Sequence, residues 1–153
     1  MSLDPAATPN ERLLQAIEDC NVESVRKALD DGADPNLPDG EGGGEPLFDA
    51  VLAKNAAIMA LLLERGGNPN FITESGGSLY DWARFDYTFD LGEDGLFPRD
   101  EQPTKEDRAT EEAYLAWLYR MAAKHGFPPP DYLRVMREAG AKTAGELRIE
   151  EKI

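Results

Sequence analysis

A chain of 153 residues that is 41% hydrophobic is long enough to bury one continuous core, and residues 9–153 are read as a single domain. Thirty acidic against 16 basic residues leave a formal charge of −14, which speaks against nucleic acid or an anionic membrane as partner and for a basic protein. A lone cysteine excludes an internal disulfide or a thiolate metal cluster, and no apolar run approaches membrane-spanning length, so a soluble, cytoplasmic protein is expected.

Residues 1–8 have no periodicity and read as a flexible N-terminus. Pro9-Asn10-Glu11 opens a helix to about Cys20, with Leu13, Leu14, Ala16 and Ile17 on its buried side. Val22 to Leu29 forms a second, antiparallel helix that Gly32 ends in a left-handed conformation, and Asp34-Pro35-Asn36 turns the chain away. Asp30 and Asp31 fall in that helix's last turn, where the dipole disfavours anions, so nothing structural recommends them. Pro38 to Gly44 is a glycine-rich finger whose ordering costs entropy.

The pattern then recurs. Gly66-Gly67-Asn68-Pro69-Asn70 follows Gly32-Ala33-Asp34-Pro35-Asn36 at an offset of 34 residues. Glu11, Leu13, Ala16, Asn21 and Leu29 return unchanged as Glu45, Leu47, Ala50, Asn55 and Leu63, while Ile17 and Val25 return as Val51 and Met59. A fixed period of this size means one helical unit stacked on the next. A third copy begins at Ser78-Leu79-Tyr80-Asp81-Trp82-Ala83, with Trp82 expected to pack on the second copy, and ends at Leu133 to Ala141. Repeats at about 9–36, 37–70 and 71–86 completed by 129–142 leave an insertion at about 87–128.

Within the insertion, Phe85 to Pro98 reads as an acidic, aromatic loop with turns at Asp90 to Gly95. Thr104 and Asp107 are placed as the cap of a helix running to Lys124 and ended by Gly126. Tyr114, Trp117, Leu118 and Met121 make one apolar stripe along it. An exposed stripe of this kind would be sticky, so the helix is expected to cap the third copy rather than to bind another molecule. Pro128 to Pro130 reset the chain before a helix at Asp131 to Ala139, and Thr143-x-x-Glu146 caps a short final turn.

These residues resemble the ankyrin repeat. Glu45-Pro46-Leu47-Phe48-Asp49-Ala50-Val51 stands where that family has Thr-Pro-Leu-His-x-Ala-Ala, and Leu61 to Asn70 where it has Leu-Leu-x-x-Gly-Ala-Asp-x-Asn. Glu45 and Phe48 replace the family's Thr and His, which removes the usual side-chain hydrogen bonds at that turn. The resemblance implies an all-α stack of helix-turn-helix repeats, interrupted in its third repeat by a loop and an extra helix. It also implies protein binding through the projecting turns and the exposed side of each first helix. Carried onto this chain, that surface holds Gln15, Glu18 and Asp19 from copy one, and Asp39, Glu41, Glu45, Asp49, Leu52 and Ala53 from copy two. Copy three contributes Glu74, Ser75, Asp81, Arg84 and Phe85.

Catalytic chemistry has little to stand on. His125 is the only histidine, so no histidine triad or multi-histidine metal site can form, and its place in a last helical turn suits a cap. Cys20 has no evident basic neighbour to activate it, and no phosphate-binding glycine loop is present. Asp90-x-Gly92-x-Asp94-Gly95-x5-Glu101 has calcium-loop spacing, but Gly92 lacks a ligand oxygen and Pro98 and Pro103 interrupt the exiting helix. No catalytic residue, metal or cofactor is therefore expected. The expectation is a non-enzymatic, monomeric module binding a basic protein, in its sharpest form an immunity or inhibitor protein. The alternatives are a divalent-metal-dependent switch or enzyme using the acids of residues 86–101, and a self-assembly module.

Overall fold

The computed structural model describes residues 7–36, 45–70, 72, 76–92 and 101–151. Among them are eight helices and no strand: α1 (Pro9–Glu18), α2 (Val22–Asp30), α3 (Glu45–Ala53), α4 (Ala56–Glu64), α5 (Leu79–Gly92), α6 (Glu111–His125), α7 (Asp131–Glu138) and α8 (Ala144–Glu151). Helix α1 packs on α2 and α3, α4 on α2, α3 and α7, and α5 on α7. The third copy is thus assembled from two pieces that flank α6 in sequence.

Local chemistry sets the ends of these helices. Thr8 and Glu11 cap α1 reciprocally, so Thr8 belongs to the helix entry rather than to a loose terminus. Asn21 and Asn55 cap α2 and α4 by accepting from the Ser24 and Ile58 N–H groups at 3.1 and 3.0 Å. Each copy closes on a glycine at positive φ: Gly32 at 105°, Gly66 at 99° and Gly140 at 96°. The next residue donates back into the helix each time, Ala33 to Ala28 at 3.0 Å, Gly67 to Leu62 at 2.8 Å and Ala141 to Met136 at 2.9 Å. This is one C-terminal motif built three times.

Asparagines join one copy to the next. Asn36 donates to the Gly66 carbonyl at 2.9 Å and accepts from the Asn68 N–H at 2.7 Å. Asn70 does the same to Gly140 and Lys142, at 3.3 and 2.9 Å. Asn10 supplies the bond pair at the start, donating to the Asp34 carbonyl and accepting from its N–H, both at 2.9 Å. Asn70→Ala strands a carbonyl and an N–H between copies two and three, and a loss of about 1–3 kcal/mol is expected, read as a lowered thermal midpoint. An unchanged midpoint would show that the clamp does not couple the copies.

The core runs without a break through the copies and the insertion. Leu13, Leu47 and Tyr80 are buried at equivalent places, as are Ala16, Ala50 and Ala83. Leu14 is only half-buried, because the packing stripe of α1 runs through Leu13, Ala16 and Ile17. Trp82 stacks on Phe48 of α3 with ring centres 4.3 Å apart, as the sequence predicts.

The structure differs from the sequence reading in four further places. Phe85 to Leu91 is not a loop: α5 continues to Gly92, because Leu79, Tyr80, Ala83 and Tyr87 recur at helical spacing and are buried. Tyr87 also donates to the Pro128 carbonyl at 2.8 Å. Thr104 and Asp107 do bond reciprocally, at 3.0 and 3.2 Å, but they close a short turn, and α6 starts at Glu111 with Thr110 as its cap. The final turn is an eight-residue helix, α8. Asp30 and Asp31 are recommended by distant cations, since Arg65 reaches Asp30 at 2.8 Å and Arg12 reaches Asp31 at 3.1 Å. No helix among the described residues is long and apolar enough to cross a membrane.

The stripe of α6 faces inward. Trp117, Leu118 and Met121 are buried in the common core, with Tyr114 packed against it. This arrangement takes the stripe away from a second copy of the chain.

Candidate partner-binding face

The first helices of the three copies carry the candidate residues. Helix α1 packs on α3, and the Phe48–Trp82 ring contact and the Lys54–Asp86 ion pair at 3.0 Å link α3 to α5. On α1, Glu18 is exposed, and so is Asp19 at its end, which accepts from Gln15 at 3.1 Å. On α3, Asp49 and Ala53 are half-buried while Leu52 is 56% exposed. On α5, Phe85 is 64% exposed. Asp39, Glu41, Glu74, Ser75 and the Glu45 side chain lie outside the described residues.

Asp81 and Arg84 have intramolecular roles. Asp81 accepts from the Ser78 N–H at 3.0 Å and from the Ser78 hydroxyl at 3.2 Å, which closes a capping box on α5. Its same oxygen accepts from the Ala144 N–H at 2.8 Å, tying α5 to the start of α8. Ser78 and Asp81 thus make reciprocal side-chain bonds at the entry of copy three's first helix. Arg84 pairs with Glu111 of α6 and lies over the Tyr114 ring at 5.1 Å from its centre. Burial is the largest single influence and works against its charge, but the Glu111 hydrogen bond, the Glu111 charge and the nearby Tyr114 and Asp81 together hold its pKa above the ordinary value.

A second polar cluster was not legible in the sequence. Arg137 of α7 is mostly buried and binds Glu112 of α6, Glu146 of α8 at 2.8 Å and the Ala141 carbonyl at 2.8 Å. Its guanidinium lies 5.3 Å from the centre of the Tyr80 ring. The Tyr80 hydroxyl is fully buried and has no hydrogen-bond partner among the described residues, and burial pushes its pKa up. Tyr80→Phe is therefore expected to leave the thermal midpoint unchanged or raise it by up to about 1 kcal/mol equivalent. A fall of several degrees would show that the hydroxyl is bonded.

His125, the last residue of α6, meets Glu101 from the segment that precedes that helix. Glu101 accepts from Lys124 and meets His125 Nε2 at 2.9 Å, and Asp107 accepts from Arg120 at 2.8 Å. The Glu101 carboxyl is held below the usual range, by the Lys124 bond first and His125 in addition. Glu101 is the twelfth position of the calcium-like spacing, and Lys124 and His125 already occupy it; Asp94 lies outside the described residues. Among the described residues, no group of three or more His, Cys, Asp or Glu side chains is placed to hold a metal ion. Cys20 is exposed, at positive φ, in the turn between α1 and α2.

No protein-family model matches the chain. It is similar to 2-5A-dependent ribonuclease of Homo sapiens, a protein that contains ankyrin repeats, with 33% identity over 73 residues. The match covers 48% of this chain and 10% of that protein, so the chain matches about a tenth of its relative's length. Similarity and helical architecture together support ankyrin-like repeats.

Proposed function

We propose that the chain is a non-enzymatic protein-interaction module, built as an ankyrin-type stack, that binds a basic protein through the first-helix side of its repeats. The observation that carries this reading is the repeated asparagine clamp between copies. Copies joined by the same bonds present their first helices as one continuous surface. That surface carries Glu18, Asp19 and Asp49, and its nearest cations, Lys54 and Arg84, are engaged by Asp86 and Glu111. An acidic surface of this kind speeds encounter with a basic partner. A cytoplasmic immunity or inhibitor protein covering a basic toxin or nuclease is the sharpest form of the proposal.

The test is retention of host proteins by the purified chain at low and at moderate salt, beside a Glu18→Lys/Asp19→Lys variant. One basic protein should be retained at low salt, weakened at least tenfold by salt and lost by the variant. A partner held equally by the variant and at high salt would overturn the electrostatic reading. Asp81 is unsuited to this test because its carboxylate caps two helices.

A further inference from the structure

Charge is divided unevenly along the chain. Residues 1–100 hold 20 acidic and seven basic side chains, whereas residues 101–153 hold ten and nine, so the first part carries a formal −13 and the second −1. Ion pairing in the fold deepens this division. In the second part Glu101 meets Lys124, Asp107 meets Arg120, Asp131 meets Arg134, and Arg137 takes Glu112 and Glu146. Charged side chains of α5 are engaged as well. Asp81 accepts from the Ala144 N–H at 2.8 Å, Arg84 holds Glu111, and Asp86 holds Lys54 at 3.0 Å. Copy three therefore uses these groups to bind α8, α6 and α3. Copy one differs. Glu18 and Asp19 are exposed, Asp19 accepts from the neutral Gln15 amide at 3.1 Å, and neither carboxylate forms an ion pair among the described residues. Arg12, on the same helix, is held by Asp31 at 3.1 Å.

Resting on the interaction reading above, we infer that the basic partner takes its charged contacts at the copy-one end of the first-helix side, and that α6, α7 and α8 lie outside its footprint. Screening is the first reason. A surface charge in ordinary buffer is felt over about 8–10 Å, so the acidity of one part of the chain does little for a partner seated on another. The second reason is the cost of exchange. A Lys or Arg of the partner that took Glu112 or Glu146 would draw it from Arg137, which is mostly buried and would lose the carboxylate that balances it. Glu18 and Asp19 require no such exchange. They are hydrated until the partner arrives, and its cations meet them without breaking an ion pair of the fold. Helices α6 and α7 serve the partner only indirectly, by completing the core under copy three.

The experiment titrates the full chain with a labelled synthetic peptide of alternating Lys and Ser, read by fluorescence anisotropy at low and at moderate salt. Two variants change the net charge equally: Glu18→Lys/Asp19→Lys on α1, and Glu106→Lys/Glu138→Lys in the second part. All four side chains are exposed, so both variants should melt within a few degrees of the wild-type chain. At low salt the α1 variant should lose about fivefold or more in affinity, and the other less than about twofold. Equal losses, or a larger loss in the second variant, would overturn the inference and leave the interaction reading standing. Loss in neither, with the peptide still released by salt, would place the charged contacts elsewhere and overturn it too. A wild-type chain without any salt-sensitive binding would overturn the interaction reading itself.

Discussion

Trp117→Ala is expected to lower the stability of the chain by about 3–5 kcal/mol, the cost of removing a large buried ring that its surroundings cannot refill. Trp117 is 6% exposed and joins the core cluster that holds Tyr87 of α5 and Leu133 and Met136 of α7. For a chain of this length each kcal/mol lowers the midpoint by roughly 2–4 °C, so a fall of about 6–20 °C should be seen by circular dichroism. Phe85→Ala is the control. Its ring is on the surface, and a change within about 0.5 kcal/mol is expected. A small effect at Trp117 would mean that α6 is an appendage to the copies rather than part of their fold. Helix α6 is also bridged to its neighbours by polar contacts. Glu111 meets Arg84 of α5, and the Tyr119 hydroxyl donates to Asp131 of α7 at 2.7 Å.

Arg137→Met is expected to cost about 1–3 kcal/mol at neutral pH, because it disconnects α6, α7 and α8 at one point and leaves the Ala141 carbonyl without its donor, while Glu112 and Glu146 remain open to water. Methionine keeps much of the buried stem's volume, so the loss reports the guanidinium. The pH dependence is the sharper readout. Glu146 and Glu112 are both held below their ordinary value of 4.5, with Arg137 the leading cause for each. Groups with a depressed folded pKa add stability above the unfolded value, and that stability is lost as pH falls through the folded one. The wild-type chain should therefore lose stability steeply as pH drops below about 4.5, and Arg137→Met should lose less across the same window. Arg137 is charged throughout this range, so it adds no slope itself. Glu101 and Asp107, depressed by Lys124 and by Thr104 and Arg120, keep their share of the slope in both proteins. Parallel wild-type and variant curves would show that Arg137 does not set those two carboxyls.

Much of the architecture was legible because it is repeated. A residue that recurs at a fixed offset in a chain of short helices must do the same local job twice. So Asn21 and Asn55 cap, Gly32 and Gly66 turn left-handed, and Asp34 and Asn68 close the following turn on Asn36 and Asn70 at 2.8 and 2.9 Å. The end of the third copy at Gly140 was legible for the same reason, although more than forty residues separate it from its first helix. The extension of α5 was not. Its residues 85–92 mix acids and aromatics in a pattern that resembles a loop until one knows that Tyr87 has a buried place beside Tyr132.

The candidate face divides in the same way. The period aligned the copies, and the resemblance to the ankyrin repeat implied the surface set that holds Glu18, Leu52 and Phe85. Which of the set meet solvent, and which are bonded within the fold, depended on contacts between residues far apart in the chain. Asp81, already the capping partner of Ser78 on α5, came to hold α8 as well because Ala144 arrives from the C-terminal end to share its carboxylate. Arg84 and Arg137 became bridges because α6, inserted between two halves of one copy, brings Glu111 and Glu112 to them.

By itself the sequence determined the helices of the first two copies, the glycine turns and the acidity, all of which are set within a few residues or by summed charge. Only the tertiary structure decided that α6 completes the core, where the acids find cations, and which side chains remain on the surface. The reason is physical: hydrogen bonding at helix ends is local, whereas burial and ion pairing depend on what the folded chain brings alongside.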